Sequence, residues 1–327
     1  MKRSIRNLSG LAAILAIFMF ASCEGPAGED GNDSCVECHN STNMSLKSTQ
    51  YETSGHGIGA YVGYAGGRNT CAKCHSNEGF LETQHTGRDT TATTIAIPTR
   101  IGCETCHSGN HESFDAENDG LDYKLTTKKA VPLLIFNGEK SVDFGTSSNL
   151  CANCHQPRTG APVADADGNF KITSTHYGPH HGPQATYLEG VGAAEIAGSV
   201  AYPAPHTGAH AMTAGCVACH MGPAEGEGGG HTFTPTVASC TACHTDATKL
   251  DINGVQTEVE ALLEELATAL KAKGVLDADG VVVPAVYSAD LAKAFYNYIG
   301  IEEDRSLGVH NPAYIKAVLK NTIAKVK

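Results

Sequence analysis

The period of the apolar positions is clearest after residue 251, where it is that of an amphipathic helix. The glutamates of this stretch fall largely outside a stripe of apolar side chains that recur every three or four residues: Val255, Val259, Leu262, Leu266 and Leu270. Gly274 is placed to end this helix, because glycine readily takes the left-handed conformation that follows a helix terminus.

Two further helices are predicted towards the C-terminus. One runs from Ser288 through Tyr298. The other begins at Asn311-Pro312, since asparagine is a favourable N-cap and proline a favourable first helical residue. The apolar period of the last helix predicts a buried face made of Ile315, Val318, Leu319, Ile323 and Val326.

Upstream of these helices the pattern is irregular, apart from one predicted β-hairpin. The apolar run Ala130–Phe136 is followed by Asn137-Gly138, which is typical of a two-residue type I′ turn, and then by Glu139–Phe144. The expected fold class is therefore mainly α with much irregular loop, a small β-hairpin insertion and a C-terminal helical segment.

The N-terminus has the pattern of an export signal. Lys2, Arg3 and Arg6 precede the apolar run Leu11–Phe20, and the small residues Ala21-Ser22 follow it. Ten apolar residues are too few to span a bilayer, which needs about twenty. Residues 1–22 are therefore predicted to be a removable signal peptide.

Cys23 lies where a signal peptidase would cut, and Phe-Ala-Ser-Cys resembles the bacterial lipobox, in which this cysteine is lipidated. The alternative is an ordinary cleavage site followed by an isolated thiol. A multiply acylated cysteine would anchor the mature chain firmly, and residues 23–34 are predicted to be a flexible linker. The expected location is the bacterial outer membrane, on its periplasmic or cell-surface side.

The other twelve cysteines form six Cys-x-x-Cys-His motifs, the attachment pattern of c-type haem. In that pattern both thiols bind the porphyrin covalently and the histidine binds iron from one side. The predicted attachment cysteines and proximal histidines are Cys35, Cys38 and His39; Cys71, Cys74 and His75; Cys103, Cys106 and His107; Cys151, Cys154 and His155; Cys216, Cys219 and His220; and Cys240, Cys243 and His244.

Zinc sites and disulfides are the two alternatives for these cysteines. Neither requires a histidine directly after every second cysteine. A disulfide within Cys-x-x-Cys also closes a very short loop, so it would constrain the unfolded chain little. The six motifs therefore predict six covalently bound c-type haems.

Composition supports a core built largely from cofactor. Tryptophan is absent and aromatic residues make up only 6% of the chain, so haems are expected to supply much of the apolar interior. The apoprotein is then expected to be largely disordered. The formal net charge of −12 disfavours nucleic acid as a partner and favours redox partner proteins with basic contact surfaces.

Ten histidines remain outside the motifs, enough to supply a second ligand to every haem iron. The sequence around several of them resembles that of multihaem cytochromes of respiratory bacteria. These include extracellular electron-transfer cytochromes and, more distantly, the nitrite reductase and hydroxylamine oxidoreductase group. The resemblance is carried by Ser54-Gly-His56, by His111 four residues after His107, by His180-His-Gly-Pro-Gln184, by Tyr202-Pro-Ala-Pro-His206, by Gly229-Gly-His231 and by Gly308-Val-His310-Asn-Pro312.

The resemblance implies that the distal ligands are His56, His111, His180, His206, His231 and His310. His181 and His210 lie close to two of these in the sequence; together with His85 and His176 they are predicted to be surface or hydrogen-bonded residues rather than ligands. His310 has an independent argument, because it directly precedes a capped helix and would be held rigidly there.

The resemblance and the histidine supply together predict an electron carrier rather than an enzyme. Residues 35–246 would form the hexahaem domain, and residues 247–327 a helical segment that contributes one distal ligand. The runner-up is a reductase of a small nitrogen or sulfur oxyanion, but enzymes of the resembling group often carry lysine in place of one motif histidine, and all six motifs here keep histidine. A subunit of a homopolymeric cytochrome filament is the third hypothesis.

Overall fold

The computed structural model describes residues 40–107, 125–145 and 147–327. Several predicted features lie outside the described residues: the signal peptide, the linker with Cys23, the first motif with Cys35, Cys38 and His39, and the distal candidate His111. Of the described residues, 49–107, 125–145 and 147–327 belong to one compact unit, whereas residues 40–48 belong to another.

The secondary structure is mainly helical, as predicted, and the helices before residue 250 are short and separated by long loops. The α-helices are α1 Ser41–Thr53, α2 Gly55–Ile58, α3 Ala72–His75, α4 Asn77–Thr86, α5 Cys103–Cys106, α6 Ser148–Ala152, α7 Gln184–Glu189, α8 Ala209–Thr213, α9 Val217–His220, α10 Val237–Thr241, α11 Val255–Ala272, α12 Ala289–Asp304 and α13 Pro312–Val326. None of these helices in the described part of the chain combines the length and the apolar character that crossing a bilayer requires.

The three predicted C-terminal helices are confirmed. Gly274, with a φ of 70°, follows the end of α11 as expected. Helix α12 begins where predicted but runs to Asp304, beyond the predicted end. Helix α13 begins at Pro312, and the Asn311 side chain caps it by accepting a 3.2 Å hydrogen bond from the Tyr314 amide.

The main apolar core of the described residues lies among α11, α12 and α13. All five residues predicted for the buried face of α13 are buried. On α11 the stripe is shifted: Val255 and Leu262 are only half-buried, and Leu263 is buried. The apolar period correctly predicts the middle of the buried face. Which residues at its edges are buried depends on how α13 packs against α11.

Replacing Leu266 with alanine is expected to lower the free energy of unfolding by about 2–5 kcal/mol, because a fully buried leucine leaves a cavity when truncated. Glu264→Ala, on the exposed side of the same helix, is the matched control and should change it by less than about 0.5 kcal/mol. Denaturant titration followed by circular dichroism compares the two variants. Equal effects would mean that α11 does not depend on this core.

The predicted hairpin is confirmed in its pairing but not in its turn. Strand β1, Val131–Pro132, pairs antiparallel with β2, Ser141–Val142. Residues 133–140 connect them, so the predicted two-residue turn is wrong. A 3₁₀ turn at Leu134–Phe136 takes up part of this loop, and the Gln156 side chain accepts a 2.8 Å hydrogen bond from the Leu134 amide. This contact with the segment after the fourth motif replaces the tight turn.

A second small sheet was not predicted. Strand β3, Asn169–Lys171, pairs antiparallel with β4, Val286–Ser288, so that Phe170 lies opposite Tyr287. It joins the loop before α7 to the segment that leads into α12. The C-terminal helices are thereby connected to the part of the chain that carries the fourth motif.

Candidate haem-binding centre

Each described Cys-x-x-Cys-His motif forms or adjoins a single turn of helix. At four of the five described motifs the histidine amide donates a hydrogen bond to the carbonyl of the first cysteine: His107 to Cys103 at 2.8 Å, His155 to Cys151 at 3.0 Å, His220 to Cys216 at 2.9 Å and His244 to Cys240 at 2.8 Å. Residues three and four positions apart share one face of a helix. Both thiols and the imidazole of a motif therefore face the same side.

The described cysteines match neither alternative considered from the sequence. All ten of them are free thiols, with no disulfide between them. Over residues 40–107, 125–145 and 147–327, no three His, Cys, Asp or Glu side chains are grouped as zinc ligands would be. Each described motif instead brings together two histidines, its own and a second one.

Every motif histidine that the structure describes faces a second histidine from a distant part of the chain. The pairs and the distances between their ring centroids are His75 and His180 at 6.2 Å, His107 and His231 at 6.3 Å, His155 and His56 at 6.1 Å, His220 and His310 at 6.2 Å, and His244 and His210 at 6.3 Å.

The near-constant separation has a simple physical meaning. Two imidazoles whose nitrogens each lie about 2 Å from one metal ion have ring centroids about 6 Å apart. Ring pairs in direct contact have centroid distances spread over about 4.5–7 Å, so direct contact alone does not account for one distance repeated five times. The residues present therefore fit a haem iron between each pair, with both attachment thiols beside it.

Local sequence explains how His56 is held. It lies on the one-turn helix α2, whose N-cap Ser54 accepts a 3.0 Å hydrogen bond from the Gly57 amide. A Cβ at position 57 would come within 2.1 Å of the Tyr51 carbonyl oxygen. Glycine on the C-terminal side of His56 thus lets this turn pack against α1.

His180 is held by an unusual backbone. Both His180 and His181 have left-handed conformations, with φ values of 74° and 50°. Such conformations cost about 1–3 kcal/mol each in residues other than glycine. The His181 side chain is paired with Glu303 of α12 at 2.7 Å. The left-handed backbone of the two residues therefore directs His180 towards His75 and His181 towards α12.

His206 and His210 differ in what they contact. The predicted distal ligand His206 faces none of the motif histidines that the structure describes. Its Nδ1 lies 2.9 Å from a Glu189 carboxylate oxygen, and 44% of its side chain is exposed. His210, on α8, faces His244 instead, and its Nδ1 donates to the Val309 carbonyl at 2.7 Å.

Comparison with known proteins supports a cytochrome-like fold. No protein-family model matches the sequence, and a comparison with curated proteins found no match. Among solved structures, the outer cell wall cytochrome OcwA matches with a TM-score of 0.56 and 19% sequence identity, over 86% of this chain and 50% of that one. The chain thus spans about half the length of that cytochrome, and a likeness at this identity is one of fold.

Hydrogen bonds at Nδ1 orient several of the paired rings. His220 Nδ1 lies 2.9 Å from the Phe233 carbonyl, and His155 Nδ1 lies 3.4 Å from the Gln184 side-chain oxygen. His310 Nδ1 lies 2.7 Å from a carboxylate oxygen of Asp304. A ring whose Nδ1 is engaged in this way presents Nε2 to a metal.

Burial keeps five of these ten rings neutral. Desolvation lowers the pKa of His155 and that of His180 to about 4 in each case. It also lowers the pKa of His56, His75 and His220. Near neutral pH these imidazoles are unprotonated, which is the form that binds a metal.

The motifs adjoin one another in space. The second and fourth are in contact through the thiols of Cys74 and Cys154, and the fourth and fifth through those of Cys151 and Cys216. Cys219 of the fifth motif interacts with both cysteines of the sixth. The third motif also lies beside the fourth.

Two residues of the centre were not assigned a role in it from the sequence. His210 lies four positions after His206, and no local feature distinguishes the two; the left-handed backbone at His206, with a φ of 59°, has no signature in its composition. Asp304 is the last residue of α12. A charged residue at a buried position has no signal in the apolar period of α12. The Asp304 side chain is buried there in contact with His310.

Proposed function

We propose that this chain is a multihaem c-type cytochrome that transfers electrons through six bis-histidine haems. The observation that carries the proposal is the set of five histidine pairs at 6.1–6.3 Å, each beside two free thiols. Haem supplies a one-electron couple between ferric and ferrous iron. The protein supplies the thiols that bind it and the two imidazoles that occupy both axial positions.

The proposed distal ligands follow from the pairs and from the sequence. They are His56 for the fourth motif, His180 for the second, His231 for the third, His310 for the fifth and His210, in place of His206, for the sixth. For the first motif, the proposal keeps His111 as the distal ligand of the haem on Cys35 and Cys38.

Carrier function is favoured over reductase function by the same geometry. A reductase needs an iron with one open position, where substrate binds. At each described motif a histidine stands where substrate would have to bind. The contacts between neighbouring motifs further support a conductor, since electron transfer requires haems held close together by the protein.

The partners and location are proposed on charge and on the N-terminal pattern. With a formal net charge of −12, the chain would meet donors and acceptors through basic surfaces on those proteins. Export by residues 1–22 and a lipid on Cys23 would place it at the bacterial outer membrane. The likeness to an outer cell wall cytochrome supports a place in an extracellular electron-transfer chain.

Electron paramagnetic resonance of the oxidised, haem-loaded protein tests the proposal. Six low-spin ferric haems are expected, because two imidazoles give each iron a strong ligand field. Adding nitrite or hydroxylamine should leave the spectrum unchanged. A high-spin haem that shifts on addition of either compound would contradict the carrier and favour the reductase.

A further inference from the structure

Asp304 is a buried carboxylate with an unusual partner. Its side chain is fully buried, and Oδ1 lies 2.7 Å from His310 Nδ1. Oδ2 accepts a hydrogen bond from the Ser306 hydroxyl. In the described part of the chain no lysine or arginine pairs with it. A buried carboxylate is costly unless it is paired, so the imidazole of His310 is what compensates this charge.

The other distal and proximal rings with a resolved Nδ1 bond have neutral acceptors. His220 meets a backbone carbonyl, as does His210, and His155 meets an amide oxygen. His310 differs from these three rings because its Nδ1 lies 2.7 Å from a carboxylate oxygen. A hydrogen bond to a charged acceptor is stronger than one to a neutral acceptor.

We propose that Asp304 is a positioning residue that lowers the reduction potential of the haem on Cys216 and Cys219. This rests on the proposed ligation of that haem by His220 and His310. A carboxylate that accepts the Nδ1 proton makes the ring a stronger electron donor at Nε2. Ferric iron carries one more positive charge than ferrous iron, so that donation and the buried negative charge stabilise the ferric form more. The reduction potential is lower as a result.

The test is a spectroelectrochemical titration of the haem-loaded Asp304→Asn protein. Asparagine keeps the shape and a neutral acceptor for Nδ1, and the Ser306 hydroxyl can rotate to accept from its amide. One of the six potentials is expected to rise, and a tenfold loss of preference for the ferric form corresponds to about 59 mV. Asp290→Asn removes the same charge at the exposed start of α12, where Asp290 pairs with Lys325, and should move none.

Ser306→Ala is the second variant and has the opposite expected effect. Without the hydroxyl donor, the Asp304 carboxylate is a stronger hydrogen-bond acceptor for His310 Nδ1. The reduction potential of the same haem should therefore fall. A role limited to holding His310 in place would not produce shifts of opposite sign in two variants that both remain low-spin. The spectrum of each variant, recorded beside the titration, verifies the spin state.

Two results would overturn the proposal. One is an unchanged set of six potentials in Asp304→Asn protein whose haems all remain low-spin. The other is a new high-spin signal in that variant, which would show that the carboxylate only orients His310. A failure of the proposed function would be visible separately, as fewer than six low-spin haems in the unmodified protein.

Discussion

Replacing His210 with alanine is expected to convert one low-spin haem to high spin, whereas replacing His206 should leave every haem low-spin. His210 lies 6.3 Å from His244 between ring centroids, and Val309 holds its Nδ1. In the proposed ligation, alanine at this position removes one axial ligand of the haem on Cys240 and Cys243. The iron then keeps a single imidazole and its ligand field weakens.

His206→Ala is the matched control because the two histidines lie four residues apart and on either side of Gly208. The His206 ring is paired with Glu189 and is partly exposed, so its loss should affect only that surface contact, worth up to about 1 kcal/mol. Electron paramagnetic resonance of the oxidised variants distinguishes them. A high-spin signal in His206→Ala with none in His210→Ala would reverse the assignment.

The second large effect is expected when haem is withheld. Protein produced without haem attachment should lose hydrogen-exchange protection around the motif helices α3, α5, α6, α9 and α10, while α11, α12 and α13 keep theirs. The motif helices are single turns, and isolated helices this short are unstable in water. None of the described motif cysteines belongs to the apolar core around α11, α12 and α13, so this core is expected to remain buried when the motif turns unfold.

In the apoprotein, disorder is thus expected in the part of the chain that carries the motifs and not in the C-terminal helices. Hydrogen exchange followed by mass spectrometry, with the haem-loaded protein as reference, measures local opening in both regions. Equal loss of protection throughout would mean that the C-terminal core needs the haems. Equal retention would mean that the motif turns fold without them.

The C-terminal helices were predictable because their signals are local. The start of α13 follows from two adjacent residues, Asn311 and Pro312, and the end of α11 from Gly274. The extension of α12 to Asp304 was not predictable in this way. Its last turn is stabilised by contacts with residues outside the helix, including the hydrogen bond that Asp304 accepts from His310 and the pairing of Glu303 with His181.

The turn of the hairpin could not be predicted from local sequence. Asn137 and Gly138 both have positive φ, as a type I′ turn requires. The turn nevertheless widens, because Gln156 binds the Leu134 amide and the Pro132 carbonyl from a distant segment. A contact of that kind has no counterpart in the turn sequence.

By itself, the sequence determined that the two cysteines and the histidine of each motif lie together, because positions i, i+3 and i+4 share one face of a helical turn wherever that turn lies. The tertiary structure decided which second histidine faces each described motif histidine. His56 precedes its partner His155 by many residues, and His210 faces His244 where His206 does not. Such pairing depends on the path of the whole chain and on backbone conformations such as that at His206, so no spacing in the sequence encodes it.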